Sequence, residues 1–285
     1  MARETKTPPD PAAIVRRDIR FDLDPGRVSR WHPDGAHVAH FFNALSLFFP
    51  EGESFFIDSV RHYLERITQG RLADDVQGFL GQEAMHSREH KRYNAALSAA
   101  GLPAKELEDD LRWMLDEMRA RVSPEHALAI TIALEHFTAI MADVALGDER
   151  ILAGADRDFA AVWRWHAIEE TEHKAVAFDV YRTVVGDDWC AYLRRVTVML
   201  LITMGFWADV VRFHFRLVQA DGAATDLRGW WRLFRFHWVT PGGMRRISRL
   251  WFDYFRPGFH PWQLDNRKHV DAWKAAYAAA GIVPA

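Results

Sequence analysis

Apolar residues recur every three or four positions along most of this chain, with polar residues between them. This spacing is the period of a helix that is buried along one side. No run alternates convincingly residue by residue, as a β-strand would, and no glycine-rich phosphate loop is present. The pattern predicts an all-α protein with helices over about 35–66, 74–100, 104–121, 123–147, 156–185 and 189–219.

Turn and breaker residues refine the limits of these helices. Pro50, followed by a glutamate and a glycine, predicts a kink or a restart inside the first helix. Ser123 before Pro124 is typical of an N-cap followed by proline in the first turn. Gly101 and Gly186 follow periodic segments and predict helix ends.

The composition divides the chain into three parts. Residues 1–30 mix proline, arginine and aspartate without an apolar leader, so we expect a flexible segment, no secretory signal and a cytoplasmic protein. Residues 31–219 carry the helical pattern and predict a helical bundle. Residues 220–285 are rich in arginine and aromatic residues, and we expect a helical extension packed on that bundle.

Size, charge and cysteine content limit the classes of function that are compatible with the sequence. A chain of 285 residues with 49% hydrophobic residues can bury a large core. Its net charge of −3 gives no case for a nucleic-acid partner. The single cysteine excludes an internal disulfide and a thiolate metal cluster.

Two Glu-x-x-His motifs lie in different predicted helices, at Glu83 to His86 and at Glu170 to His173. Positions i and i+3 share a helix face, so each motif directs a carboxylate and an imidazole to the same place. A ferritin-like bundle builds its di-metal site from two such helices and a single glutamate on each of two others. The motifs therefore predict a ferritin-like four-helix bundle core with additional C-terminal helices.

Single residues complete this set of candidate ligands. Glu135 lies in an otherwise apolar helix, where a charge is rarely buried without a partner. Glu53 is preferred to Glu51, because the aromatic residues that follow it continue a buried face. His166 precedes Glu170 by four positions and shares its stripe, so we interpret it as a ligand rather than a neighbour. The predicted metal ligands are Glu53, Glu83, His86, Glu135, His166, Glu170 and His173.

The four glutamates are expected to meet at one level of the bundle, because their distances from the helix ends differ by only about one turn at a rise of ~1.5 Å per residue. Four carboxylates would neutralise two divalent cations, and imidazole favours iron, manganese or zinc over calcium and magnesium. We expect two metal ions, iron first, with a Mn/Fe pair or zinc as alternatives. A single Glu-x-x-His motif usually lies on a solvated helix face. The prediction therefore rests on the combination of two motifs with single glutamates on two other helices.

Neighbouring polar residues are predicted to support the ligands. His90 follows His86 by four positions, and we interpret it as a hydrogen-bonding neighbour more readily than as a ligand. Asp179 is a candidate for orienting a ligand histidine from outside. Glu169 and Glu172 point to another face and are expected to be solvated or paired. No catalytic residue is predicted beyond the metal ligands.

Several stretches resemble a bacterial family described as predicted metal-dependent hydrolases, over about residues 30–275. They are Phe49-Pro50-Glu51-Gly52-Glu53, Gly81-Gln82-Glu83 through His90, Trp165-His166-Ala167-Ile168-Glu169-Glu170 and Arg256-Pro257-Gly258-Phe259-His260-Pro261-Trp262. The set of four glutamates and three histidines is also similar to that of di-iron arylamine N-oxygenases such as p-aminobenzoate N-oxygenase, whose pattern does not require His90. The first resemblance implies hydrolysis, and the second implies oxidation.

Two reactions therefore stay open. The favoured prediction is a di-iron enzyme that activates O2 to oxidise a small hydrophobic substrate and takes electrons from an external donor. The alternative is a two-metal hydrolase that uses a metal-activated water. A four-glutamate centre with histidines suits redox iron better, and no additional nucleophile or oxyanion loop is evident.

The C-terminal part interleaves seven arginines with nine aromatic residues between Leu227 and Arg256. We favour a surface extension that packs by its aromatic rings and leaves its arginines outside. The other interpretation is a peripheral membrane contact, with the rings in the lipid boundary. The uncharged run 196–208 has 13 residues, fewer than the ~17–25 that span a bilayer. We also consider a homodimer.

Overall fold

The computed structural model describes residues 12–279, and every regular element within them is helical. This confirms the all-α prediction. Short 3₁₀ turns and one π-helical turn (Arg235–Val239) connect the longer helices. The helices are α1 (Ala36–Arg61), α2 (Arg71–Ala99), α3 (Ala104–Arg121), α4 (Pro124–Gly147), α5 (Arg157–His173), α6 (Val176–Val184), α7 (Trp189–Ala220), α8 (Leu227–Phe234), α9 (Gly243–Trp251) and α10 (Arg267–Ala279).

Four helices enclose the core of the molecule. Helix α1 packs on α2 and α4, and α5 contacts the same two helices, so the four close into a ring. Each contributes fully buried apolar side chains, such as Leu47, Phe79, Leu128 and Phe159, and each such side chain stabilises the fold by about 1.5–3 kcal/mol. Helices α3 and α7 cover the ring from outside. The ferritin-like form of this ring stays a prediction.

Helix α1 continues through Pro50, where the sequence predicted a kink or restart, and it ends at Arg61. Proline has no N–H, so the carbonyl of Ser46, four residues earlier, loses its helical partner. The Nδ2 amide of Asn94 on α2 donates to that carbonyl at 3.2 Å. A side chain of the neighbouring helix thus replaces the bond that the proline removes.

The helix predicted over 156–185 is divided, because α5 ends and α6 begins on either side of a turn at Lys174 and Ala175. Lys174 is buried there and donates to the carbonyl of Leu264 and to Oδ1 of Asn266, both at 2.6 Å. Its ammonium nitrogen also lies 4.1 Å from the ring centroid of Trp262. The end of α5 is therefore tied to the C-terminal segment.

The limits predicted for the three parts of the chain stay predictions, but the described segments at both ends pack on the bundle. Within residues 12–30, where we expected a flexible segment, Arg17, Phe21 and Val28 are buried. Residues 1–11 lie outside the described residues. In the C-terminal part, α8 contacts α1, α9 contacts α4 and α10 contacts α5.

Two of the described helices are long and apolar enough to cross a membrane, judged by length and composition alone. One is α4, whose apolar window is 78% buried in the core of the bundle. The other is α7, whose window is only 22% buried. The cytoplasmic location stays a prediction.

Candidate metal centre

The seven predicted ligands meet inside the helical ring. Helix α1 supplies one, α2 two, α4 one and α5 three, and each residue is at most 3% exposed. Potential ligand atoms of these residues lie within 4.8 Å of one another in three groups. The groups are Glu53, His86 and His166; Glu83, Glu135 and His173; and Glu83, His86 and Glu170.

The first two groups share no residue, and we name them the first trio and the second trio. Glu170 lies between them. Its Oε1 is 2.9 Å from Nε2 of His166 and 3.6 Å from Nδ1 of His86, whereas its Oε2 is 3.5 Å from Nε2 of His173. One carboxylate therefore faces both trios, as a ligand that bridges two cations must.

The charges at this centre are not balanced by the side chains alone. Burial first, and then repulsion by neighbouring carboxylates, raises the pKa of Glu53 and of Glu135 well above its ordinary value. Burial also acts to raise the pKa of Glu170, but the nearby His173 and His166 outweigh it and lower that pKa. The pKa of His173 is raised, because the attraction of Glu170 and Glu83 exceeds the cost of burial.

Most polar atoms of the centre lack a hydrogen-bond partner. Both oxygens of Glu53, Glu83 and Glu135 are buried without one. So are Oε2 of Glu170 and Nε2 of His173. Unpartnered buried polar groups are costly and rare in folded proteins. Oxygen and nitrogen donors that converge in this way fit divalent cations, which would satisfy all of them together.

His173 of the second trio is held from behind by a relay of polar side chains. Its Nδ1 lies 2.8 Å from Oε1 of Gln82, and the Gln82 amide donates to Glu172 at 2.8 Å. Arg17 of the N-terminal segment then donates to Glu172 at 2.7 Å. Because the Gln82 oxygen can only accept, Nδ1 of His173 carries the proton and Nε2 faces the carboxylates. A fixed ring orientation of this kind strengthens metal binding.

His166 of the first trio is fixed by a second relay. Ser46 donates to Oδ1 of Asn94 at 2.7 Å, so its oxygen accepts from Nδ1 of His90 at 2.9 Å. Burial, followed by repulsion from His166, lowers the pKa of His90 well below its ordinary value, so its ring is neutral and Nε2 accepts from Nδ1 of His166 at 2.7 Å. That leaves Nε2 of His166 to face Glu170 and a metal. The amide nitrogen of Asn94 donates both to Oε1 of Glu108 at 2.8 Å and to the Ser46 carbonyl that Pro50 frees at 3.2 Å, and these two acceptors together fix the direction of this relay.

The remaining histidine of the first trio, His86, lies at ion-pair distance from an outer carboxylate, although neither of its ring nitrogens has a hydrogen-bond partner. Its Nε2 lies 3.1 Å from Oε2 of Glu169, while its Nδ1 faces Glu170. Glu169 in turn accepts from Nε1 of Trp165 at 3.0 Å and from Arg17 at 3.2 Å. Burial raises the pKa of Glu169 to about 8 despite Arg17. Every candidate histidine thus has one ring nitrogen directed outward and one directed at the carboxylates.

Several neighbouring residues differ from the sequence-based expectation or were missed. Glu169 and Glu172 were expected to be either solvated or paired. Both pair with Arg17, and both are buried behind the histidines. Asp179 is placed elsewhere: its Oδ1 lies 3.0 Å from Nε2 of His260, so its predicted role of orienting a ligand histidine does not hold. Ser46 was missed, although it precedes Glu53 by seven residues, two helical turns, on the same face. Gln82 was not singled out for orienting His173.

Two apolar cavities reach the centre. The first, about 700 Å³ including its open mouth, touches His166 and Glu170. The second, about 840 Å³, touches Glu53. They share walls formed by Leu45, Phe49, Thr138 and Met141. Both cavities therefore open on the first trio or on the glutamate between the trios, and an apolar molecule could approach the centre there.

The fold and these contacts define an all-α protein with a candidate carboxylate–histidine metal centre. A family model described as "Predicted metal-dependent hydrolase" matches residues 15–265, and the chain belongs to this family. The resemblance noted from the sequence is thereby confirmed. No curated protein and no solved structure matches the chain significantly. Of the two reactions that the sequence left open, the family description favours hydrolysis.

We predict that Glu135→Gln stabilises the metal-free protein and abolishes its stabilisation by metal. The raised pKa of Glu135 means that its ionised form opposes folding, increasingly so as pH rises from about 4.5 towards its value in the folded protein. At neutral pH the metal-free variant should gain on the order of 1 kcal/mol, or about 2–4 °C in Tm. Thermal unfolding from pH 5 to 8, with and without Fe(II), measures both effects.

The control for this variant is Glu65→Gln at an exposed position, which should leave both Tm values unchanged. A metal-free Glu135→Gln protein that melts well below the wild type would indicate that Glu135 belongs to a structural ion pair.

We also predict that Gln82→Leu weakens metal binding about 10–100-fold, because His173 loses the acceptor that orients its ring. Competition with a chromophoric chelator measures the affinity. The matched control is Gln77→Leu, an exposed glutamine on the same helix. Equal affinities for the two variants would contradict the orienting role.

Proposed function

We propose that this protein binds two metal ions and uses them to oxidise an apolar organic substrate with O2. The observation that carries the proposal is the division of the buried ligands into two trios on either side of Glu170, next to apolar cavities. Four carboxylates match the charge of two divalent cations. Three imidazoles favour iron, manganese or zinc. Iron is proposed first, with a Mn/Fe pair or zinc as alternatives.

When bound, the iron pair would supply the electrons that reduce O2, and the protein would supply position and environment. Glu53, His86 and His166 would hold one ion, and the second trio would hold the other. Glu170 would contact both, since its two oxygens face different histidines. The outer relays would keep each imidazole in the required orientation.

The cavities support an apolar substrate. Apart from the candidate ligands, the side chains around them are aromatic and aliphatic with few exceptions, such as Thr138, which both cavities share. Walls of this kind hold hydrocarbon and exclude water. Exclusion of water suits an oxidation, in which water is not a reactant and would intercept reactive species. Repeated turnover would require an electron donor outside this chain. A homodimer stays a prediction.

The second candidate function is metal-dependent hydrolysis, which the description of the family favours. The same trios could activate a water for attack on an ester or amide. The apolar substrate would then carry the scissile bond at the end of a cavity, next to His166 and Glu170. This candidate predicts activity without O2 and with redox-inactive zinc.

Loading the purified protein with anaerobic Fe(II) or Zn(II) tests both candidates. We expect two ions per chain and, after mixing the iron form with O2 and a chemical reductant, O2 uptake that apolar aromatic or acyl substrates stimulate. Glu135→Gln should lose both the metal and the O2 uptake. Glu65→Gln should retain them.

Hydrolysis would instead appear as metal-dependent cleavage of apolar p-nitrophenyl esters under nitrogen, equally with zinc, and lost in Glu135→Gln. Ester cleavage of this kind without O2 uptake by the iron form would replace the oxidation proposal with hydrolysis. A single ion per chain would contradict the two-metal assignment in both.

A further inference from the structure

Large apolar side chains are exposed almost entirely in one part of the described chain. Of the fourteen exposed ones in the described chain, thirteen lie between residues 189 and 252. The exception is Trp113 on α3. Contiguous exposed apolar surface on a folded protein usually marks an interaction site.

Helix α8 and the π turn after it carry this surface as two parallel stripes. Exposed apolar residues recur there every three or four positions, which places them on one face. An arginine directly follows each of the first three, so that a basic face runs alongside. The apolar stripe is Leu227, Trp231, Phe234 and Trp238, and the basic stripe is Arg228, Arg232 and Arg235.

The charge of this segment is opposite in sign to that of the whole chain. Residues 227–252 contain six arginines and no acidic residue, whereas the chain carries −3. One of the six, Arg246, lies 3.6 Å from Asp148. The other five are exposed, and among the described residues none of them has an acidic partner within ion-pair distance. Such a surface favours an anionic partner.

The apolar surface continues onto α7. The ring of Trp230 on α8 stacks on Phe215 of α7 with centroids 6.4 Å apart. At the other end, Nε1 of Trp251 donates to Thr203 of α7 at 3.0 Å. Between these contacts α7 exposes Met204 and Val211, and Leu200 is exposed just before them.

We propose that residues 227–252 dock this protein on the surface of an anionic lipid bilayer. The rings of the apolar stripe would enter the boundary between head groups and acyl chains, and the basic stripe would contact the phosphates. A second copy fits less well, because a two-fold interface through this segment would bring together two sets of arginines, and the segment has no acidic residue to neutralise them.

The docked segment also forms part of the wall of the first cavity. Phe236, Met244 and Ile247 come from this segment and line the cavity that reaches His166 and Glu170. Docking would therefore bring that wall to the bilayer, from which an apolar molecule could enter. Delivery of a substrate rests on the proposed function, whereas docking does not.

Co-sedimentation of the full-length protein with vesicles tests the docking without any activity. Phosphatidylcholine vesicles with and without phosphatidylglycerol are compared at low and high salt. We expect binding at least about tenfold tighter to the anionic vesicles, and release at high salt, where charges are screened. Absence of binding at low salt, or equal binding to both vesicle types, would overturn the proposal.

A double variant tests the apolar stripe. Trp231→Ala with Phe234→Ala should weaken binding at least about tenfold, because two interfacial rings are lost. Trp113→Ala is the matched control, since it removes a similarly exposed tryptophan outside the segment. Equal binding by the double variant and the control would contradict the proposal. Light scattering could instead show that the wild type is a dimer and the double variant a monomer. That result would mean that the surface binds a second copy and not a bilayer.

A triple variant of the basic stripe should lose the preference for anionic vesicles, whereas three exposed arginines elsewhere should be dispensable. Circular dichroism confirms that both proteins are folded. Equal loss in the two would mean that overall charge, and not this stripe, causes binding. The triple variant is Arg228→Gln, Arg232→Gln and Arg235→Gln, and its control is Arg61→Gln, Arg121→Gln and Arg157→Gln.

Discussion

Four carboxylates and three imidazoles share one buried space in this protein, and the burial of the acids, together with their mutual repulsion, is the constraint to which the surrounding structure responds. Isolated charges are too costly to bury, so the acids either take up protons or bind cations. The raised pKa of Glu53 and Glu135 expresses that cost directly. Converging donors with no other partner are therefore a reason to expect metal at this centre.

The histidines are positioned by residues from distant parts of the chain. Arg17 secures the relay behind His173 and also contacts Glu169, so one N-terminal side chain supports both trios. On the opposite side, Glu108 of α3 and the carbonyl that Pro50 frees on α1 both accept from Asn94, which orients the His90 relay. The candidate centre thus depends on hydrogen bonds that extend well beyond its ligands.

The all-α class and the convergence of the seven ligands were predictable, because helical periodicity and i, i+3 spacing are local properties of the sequence. The residues that hold the histidines from outside were harder to predict from the sequence. Arg17 meets Glu172 across 155 positions, and no local pattern encodes such a contact. The break after α5 also escaped prediction, since it accompanies the bonds of Lys174 to the C-terminal segment. Asp179 was predicted to orient a ligand histidine, because it follows the ligands on the same stretch of chain. In the structure its partner is His260.

The order of the ligands along the chain has a consequence for biosynthesis. The first trio ends with His166 and the second with His173, both on α5. A ribosome therefore releases an incomplete set of donors until that helix has emerged, and a nascent chain holds only parts of each trio. The complete set of donors therefore becomes available only after α5 has been synthesised, when most of the helical ring already exists.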